Sequence, residues 1–262
     1  EIPASVTNMC ETFYNCKSLI NAPEIPDGVT DMGSTFRGCT SLANAPEIPA
    51  SVTDMSYTFN GCTSLVDAPV IQASVTDMFS TFGGCTSLAN APEIPASVIG
   101  MSYTFRDCTS LVDAPVIPAS VTDMYATFRG CTSLTDVSTI FDNIEKFDTD
   151  NVDMSYTFDD CSNLITAPNK IPEGVESMEC TFKYCYNLEI APLLIPESVT
   201  NMESTFYGNS LLSGEIQINA SPAKYSDCFL GAGANSDGVV IFGTSTVLNE
   251  LAATGDYVTV RQ

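Results

Sequence analysis

Apolar positions recur along this chain in a fixed order, with neither the alternation of a single strand nor the drift of a long helix. From Ile48 to Pro69 the residues run Ile-Pro-Ala-Ser-Val-Thr-Asp-Met-Ser-Tyr-Thr-Phe-Asn-Gly-Cys-Thr-Ser-Leu-Val-Asp-Ala-Pro. The same order can be anchored on Met9, Met32, Met55, Met78, Met101, Met124, Met154, Met178 and Met202, which are all the methionines of the chain. Their spacing is 23 residues five times, then 30, 24 and 24. A Thr stands three after each Met, a Phe four after and a Leu ten after; a Cys stands seven after in eight copies, with Asn209 in the ninth. One such unit cannot close a core alone, so its apolar side chains are buried only by stacking on neighbouring units, which is the logic of a solenoid.

Local signals fill in each coil. Thr63 to Ala68 reads as a strand, stopped by Pro69, which has no N–H for a ladder. Val52, Met55, Phe59 and Cys62 fall at helical spacing, with Ser51 and Asp54 resembling a capping box, so the pattern predicts one or two helical turns opposite the strand. Between Met124 and Met154 the period stretches by seven residues, and the acidic segment Ser138 to Asp153 is expected to be a solvated bulge. Asp148, Asp150 and Asp153 offer a weaker alternative there, a calcium site, although the EF-hand pattern is absent. After Leu212 the order fades. Tyr225, Cys228 and Phe229 take the Met, Thr and Phe columns of a degenerate tenth repeat. Strands at 239–242 and 257–260 and a short helix at 246–254 are expected to close the end. The division is therefore a single domain, 1–262, with nine repeats over 1–214 and an insert near 138–153. A tenth repeat spans 215–237 and a cap 238–262.

Composition narrows the chemistry. Nine basic and 32 acidic residues give a net charge of −23, which disfavours nucleic acid and anionic membranes as partners. No apolar run is long enough to span a bilayer. Glu1 falls inside a repeat, which suggests a chain that starts after a removed segment or within a longer array. Eight of the eleven Cys share one column, where parallel side-chain vectors suit disulfides poorly, so free, buried thiols acting as small hydrophobes are expected. With no His and no Cys-x2-Cys pair, a metal site has no support, and no cofactor is implied.

The run Ile-Pro-x-Ser-Val-Thr-x-Met-x-x-Thr-Phe-x-Gly-Cys-Thr-Ser-Leu resembles the BspA-like leucine-rich repeats of bacterial surface proteins, over roughly residues 2 to 212. It differs in a Met-to-Phe gap one shorter than the commonest form and a strand side one longer. The resemblance implies an α/β repeat solenoid, a right-handed leucine-rich-repeat superhelix with one short parallel strand and one short helical turn, 3₁₀ or α, per coil of about 23 residues. It also implies a secreted or cell-surface protein that binds a host or neighbouring-cell protein or glycan; the chain is expected to be a monomer.

No catalytic residue is proposed from the sequence, because without His the Ser-His-Asp and Cys-His arrangements are impossible. Two alternatives stay open: a glycan-active solenoid enzyme with paired carboxylates, and a purely structural spacer. Thr ladders such as Thr40, Thr63 and Thr86 also admit an ice-binding surface, although buried hydroxyls bonded to backbone explain the Thr after Met equally well. Recognition is expected through the strand face, which carries a polar series five residues after the Cys column, including Asn44, Asp67, Asn90, Asp113 and Asp136. Aromatic residues mark a second face, with Tyr57 and Tyr103 as the candidate contacts.

Overall fold

The coils are joined by a backbone pattern that repeats at every Met. In the computed structural model, which describes residues 1–261, the residue two after Met is left-handed in every coil, for example Ser34 (φ 56°), Tyr57 (φ 57°) and Tyr103 (φ 57°). The residue six after Met is left-handed as well, and there Gly is frequent, as at Gly38, Gly61 and Gly84, because Gly adopts this region without a Cβ clash. These two reversals exclude the helical turn predicted here. Val52, Met55, Phe59 and Cys62 do share an inward face, but through a chain of tight turns.

The reversals send alternate N–H groups to different partners. Thr58, Asn60 and Cys62 close turns onto Met55, Tyr57 and Phe59 carbonyls at 3.1, 3.1 and 2.9 Å. Met55, Tyr57, Phe59 and Gly61 instead donate to Asp77, Phe79, Thr81 and Gly83 of the next coil at 2.7–3.1 Å. Ser56 N–H is taken by the Asp54 carboxylate at 2.7 Å, so Asp54 caps a turn and no capping box forms. Ser51 Oγ donates to the preceding coil, at 2.7 Å from Asp27 O. Every N–H from Met55 to Cys62 is thus satisfied, as burial requires.

Two side-chain columns complete the ladder. Thr58 Oγ1 lies 2.9 Å from both Met32 O and Met55 O; Thr35 repeats the arrangement one coil back, and Thr81 bonds Met55 O at 2.9 Å from the next coil. Cys62 Sγ lies 3.1 Å from Phe36 O, and six other column thiols repeat that contact one coil back. The thiols are therefore donors to the backbone, a role beyond the small hydrophobe expected. All eleven Cys are free.

Inside, Val, Met, Phe, Cys, Leu and Ile columns are buried from coil to coil. Ten Phe rings from Phe13 to Phe229 stack nearly parallel, with centroids 5.2–5.7 Å apart. Each fully buried ring contributes about 1.5–3 kcal/mol. Coil ten continues the stack, with Phe206 N–H on Cys228 O at 2.8 Å.

The predicted strand Thr63–Ala68 contracts to one bridging residue. Asn44, Asp67, Asn90 and Asp113 pair in parallel with their neighbours 23 residues away, and a second bridge per coil runs through Asp31, Asp54, Asp77 and Gly100. The strand cannot lengthen, because Leu65 N–H turns back to Cys62 O at 3.0 Å and Pro69 has no N–H.

The insert is a correction too. Ile140, Phe141, Ile144 and Phe147 are buried, with the Phe141 and Phe147 rings edge-to-face at 5.9 Å, so it adds an apolar layer where a solvated bulge was expected. Phe147 N–H reaches Glu173 O at 2.9 Å and Asp148 N–H reaches Ala119 O at 3.0 Å. Its acids do not gather around a cation site: Asp150 pairs with Lys146 at 2.8 Å and Asp153 caps Ser155 N–H at 2.8 Å. Among the described residues no three acidic or thiol side chains converge as ligands.

Extended ladders appear only late in the chain. β1 (Val152–Asp153) pairs with β2 (Val175–Ser177), and β3 (Leu194–Ile195), β4 (Gly214–Ile218), β5 (Val239–Phe242) and β6 (Val258–Val260) form a parallel sheet in that order. The short helix α1 (Leu248–Ala252) buries Leu251 between β5 and β6 in sequence. Among the described residues no helix is long and apolar enough to cross a membrane.

Candidate functional site

The left-handed residue after Met also shapes the outer surface. Coils three, five and seven carry Ser-Tyr after Met (Tyr57, Tyr103, Tyr156), whereas coils four and six place the aromatic one residue earlier and a small residue next (Phe79-Ser80, Tyr125-Ala126). Rings leaving the backbone from alternate positions meet edge-on. Centroids are 5.0 Å apart for Tyr57–Phe79, 5.6 Å for Phe79–Tyr103 and 5.2 Å for Tyr103–Tyr125, with interplanar angles of 61°, 66° and 63°. Edge-to-face pairs of this kind are favoured over a face-to-face sandwich. All five rings are half-buried.

Five residues after Met stands a second row: Arg37, Asn60, Gly83, Arg106, Arg129, Asp159 and Lys183. Its cations lie over the aromatic row, with Arg37 Cζ 4.8 Å from the Tyr57 centroid and Arg106 Cζ 5.7 Å from that of Tyr103. Asn60 and Gly83 are short, which opens a notch of about 460 Å³ between Arg37 and Arg106. A Cβ on Gly83 would lie 2.7 Å from Asn60 Nδ2 and 2.8 Å from Ser80 Oγ, so this position shapes the floor.

Further along, the row is charged and tighter. Asp159 is buried and pairs through Oδ2 with Arg129 Nε at 3.0 Å, while its Oδ1 has no partner. Burial pushes its carboxyl above the usual range, and Arg129 and Lys183 pull it part of the way back. Tyr156 Oη donates to Glu179 at 3.1 Å, and its phenol is raised by burial first and then by its Cys180 and Glu179 neighbours.

Residues 7–135 match the family model described as a BspA type leucine rich repeat region, in six copies. Over that stretch, just under half of the chain, the repeats are of this type. A second model, described as a Mycoplasma protein of unknown function, matches residues 99–220. A leucine-rich repeat protein from Bacteroides ovatus aligns over 98% of this chain with 19% identity and a TM-score of 0.63, a likeness of fold; this chain spans 64% of that one. A Treponema pallidum leucine rich repeat protein aligns over 51% of this chain and 65% of its own, with 29% identity and a TM-score of 0.45. A leucine rich cell surface protein from Faecalibacterium prausnitzii aligns over 100% of this chain and 87% of its own, with 19% identity and a TM-score of 0.44. No curated protein matches.

In this BspA-type array the expected site residues separate into two rows. Tyr57 and Tyr103 line the notch. Asn44, Asp67, Asn90, Asp113 and Asp136 are exposed at bridge positions and do not line it. Among the described residues the side chains of Asn44, Asp67, Asn90 and Asp113 make no hydrogen bond, whereas Asp136 caps Ser138 N–H at 2.7 Å. The arginines and the Asn60–Gly83 gap escaped the sequence reading. The available signal was the column five after Met, whose residues change from Arg to Asn to Gly while its neighbours stay constant.

Proposed function

We propose that the chain is a non-enzymatic binding module, secreted or displayed at a cell surface, that recognises a protein or glycan of a host or neighbouring cell. The contact face is the aromatic row, with Tyr57 and Tyr103 at its centre. One observation carries this reading: a concave notch, walled by half-buried aromatics and flanked by arginines, interrupts a surface that the repeat otherwise keeps uniform. Rigid aromatics provide contact area at low conformational entropy, and Arg adds directed donors.

The reading as a binder is supported by the state of the reactive groups. Burial raises the thiols, to about 12 for Cys62 and Cys108, and each donates to a Phe carbonyl, which leaves them poor nucleophiles. The carboxylates of Asp54, Asp77 and Asp123 are spent on turn N–H groups. The surface location is the one that the family resemblance implies.

A second reading places contact on the Asn/Asp row, favoured by its unbonded side chains and by exposed Val66 and Val112 beside it. Adhesion of the purified chain to immobilised host matrix and to a glycan array separates the two. Loss of binding in the Tyr57→Ala, Tyr103→Ala double variant, with retention in Asp67→Ala, Asp113→Ala, is the expected result. The opposite pattern moves the site to the bridge row, and no binding to any cell-derived material refutes both.

A further inference from the structure

The notch between Arg37 and Arg106 has features that narrow its ligand further than the row as a whole. Arg106 is paired with Asp107 at 3.1 Å and Arg129 with Asp159 at 3.0 Å. Arg37 differs: among the described residues it has no carboxylate partner, and its guanidinium rests on Tyr57 and, at 5.8 Å, on Tyr14. A half-buried, stacked guanidinium without a counter-ion is prearranged to receive a planar carboxylate through two N–H groups. Asn60 Nδ2 donates to Ser80 Oγ at 3.0 Å and Asp107 Oδ2 is held by Arg106, which leaves the Asn60 carbonyl oxygen, the Ser80 hydroxyl proton and Asp107 Oδ1 to meet ligand hydroxyl groups.

The backbone argues against a peptide strand as occupant. Across Met55–Cys62 every N–H is already committed to a turn, to Asp54 or to the next coil, so strand addition has no free ladder to extend. Recognition here must come from side chains alone.

Spacing along the row supplies the last constraint. Tyr57 and Tyr103 leave the backbone from the same position two coils apart, a separation of about 10 Å at the parallel inter-strand spacing. Phe79 between them presents a differently tilted ring. The surface therefore repeats every second coil, over about the length of one extended disaccharide, and Tyr57 and Tyr103 stand to meet equivalent sugars of successive units. The protein's charge of −23 repels densely anionic chains, so an acid on alternate sugars, one of them on Arg37, is favoured over an acid on every sugar.

We infer that the notch binds a linear glycan with one carboxylated sugar per disaccharide, laid along the solenoid axis, with the carboxylate on Arg37 and sugar faces on Tyr57 and Tyr103. This rests on the aromatic face being the binding face and names its ligand class.

The test is calorimetric titration of the chain with a hexasaccharide of alternating glucuronate and N-acetylglucosamine, and with its carboxyl methyl ester. Saturable binding of the acid, at least tenfold weaker binding of the ester, and the same tenfold loss in Arg37→Gln are expected. Gly83→Arg, which places in coil four the residue that coils two, five and six already carry, fills the notch and should abolish binding, at a cost in thermal stability because its Cβ displaces the Asn60 and Ser80 side chains. If Gly83→Arg proves unfolded, Asn60→Arg serves the same purpose from coil three. No saturable binding by the native chain, or equal affinity for acid and ester, or full binding after the notch is filled, overturns the inference. Binding of cells or of a neutral glycan that is lost in Tyr57→Ala, Tyr103→Ala would leave the aromatic face standing while removing the acidic ligand.

Discussion

Asn209 replaces the column Cys in coil nine, and replacing it by Cys is expected to stabilise the protein. Asn209 is fully buried, and neither its Nδ2 nor its Oδ1 has a hydrogen-bond partner. In the coil before, Cys185 Sγ donates to Phe158 O at 3.1 Å, so the equivalent acceptor for position 209 is Phe182 O. A buried polar group left without a partner costs about 1–3 kcal/mol. Cys removes both amide atoms, is close to the same size and offers a donor to Phe182 O, so Asn209→Cys should gain about 1–3 kcal/mol. Asn209→Ala should gain less, because it leaves a gap as well as a carbonyl with one donor fewer. A stacked array opens locally, so the assay is native-state amide exchange at N–H groups that bridge the coils on either side. Tyr184 and Phe206, which donate to Tyr207 and Cys228 carbonyls, are the reporters. The gain predicts exchange roughly 5- to 150-fold slower at these sites, since each 1.4 kcal/mol is tenfold. Unchanged or faster exchange in Asn209→Cys would refute the argument that the amide is unpaired in the native state.

Three further outcomes follow from the same structure. Phe147→Ala should destabilise the fold by about 3–5 kcal/mol in urea titration, as expected of a buried ring; a change below about 1 kcal/mol would restore the solvated bulge. A thiol reagent at mildly alkaline pH should label Cys10 and the exposed first column thiol, Cys16, at once and the other nine only after denaturation, so rapid labelling of any column thiol from Cys39 to Cys185 would contradict the Sγ-to-carbonyl ladder. Asp159 has a folded pKa above its unfolded value, so its ionisation opposes folding: its stabilising contribution is present below the unfolded pKa and is lost as pH rises through the folded one. Asp159→Asn should accordingly gain on the native chain as urea titrations move from acid to neutral pH, and a difference that shrinks over that interval would show Arg129 outweighing burial.

The repeat made the core legible because a column of identical residues fixes which way its side chains point. Val52, Met55, Phe59, Cys62, Leu65 and Ile48 are all buried, as the pattern requires. Backbone conformation was harder to read. The spacing of Val52, Met55, Phe59 and Cys62 is that of a helix, yet Gly38, Gly61 and Gly84 at one position already marked a left-handed residue that a helix cannot contain. The other reversal gave no sign, since Tyr57, Ser34 and Glu11 are not residues that favour positive φ. In the insert, the acids drew attention away from Ile140, Phe141, Ile144 and Phe147, whose spacing carried the buried layer. The site was half visible. Tyr57 and Tyr103 stood out as aromatics, but the notch depends on what is missing at Gly83, and absence of a side chain acquires meaning only once the neighbouring coils are in place.

Hydroxyl-radical footprinting of the chain bound to the cells or glycan it recognises tests the central claim, that recognition occurs on the aromatic row. Protection of Tyr57, Phe79 and Tyr103 is expected, with unchanged labelling of Val66 and Val112 beside the Asn/Asp row. Protection of Val66 and Val112 with Tyr57 and Tyr103 still labelled at the free rate would contradict it.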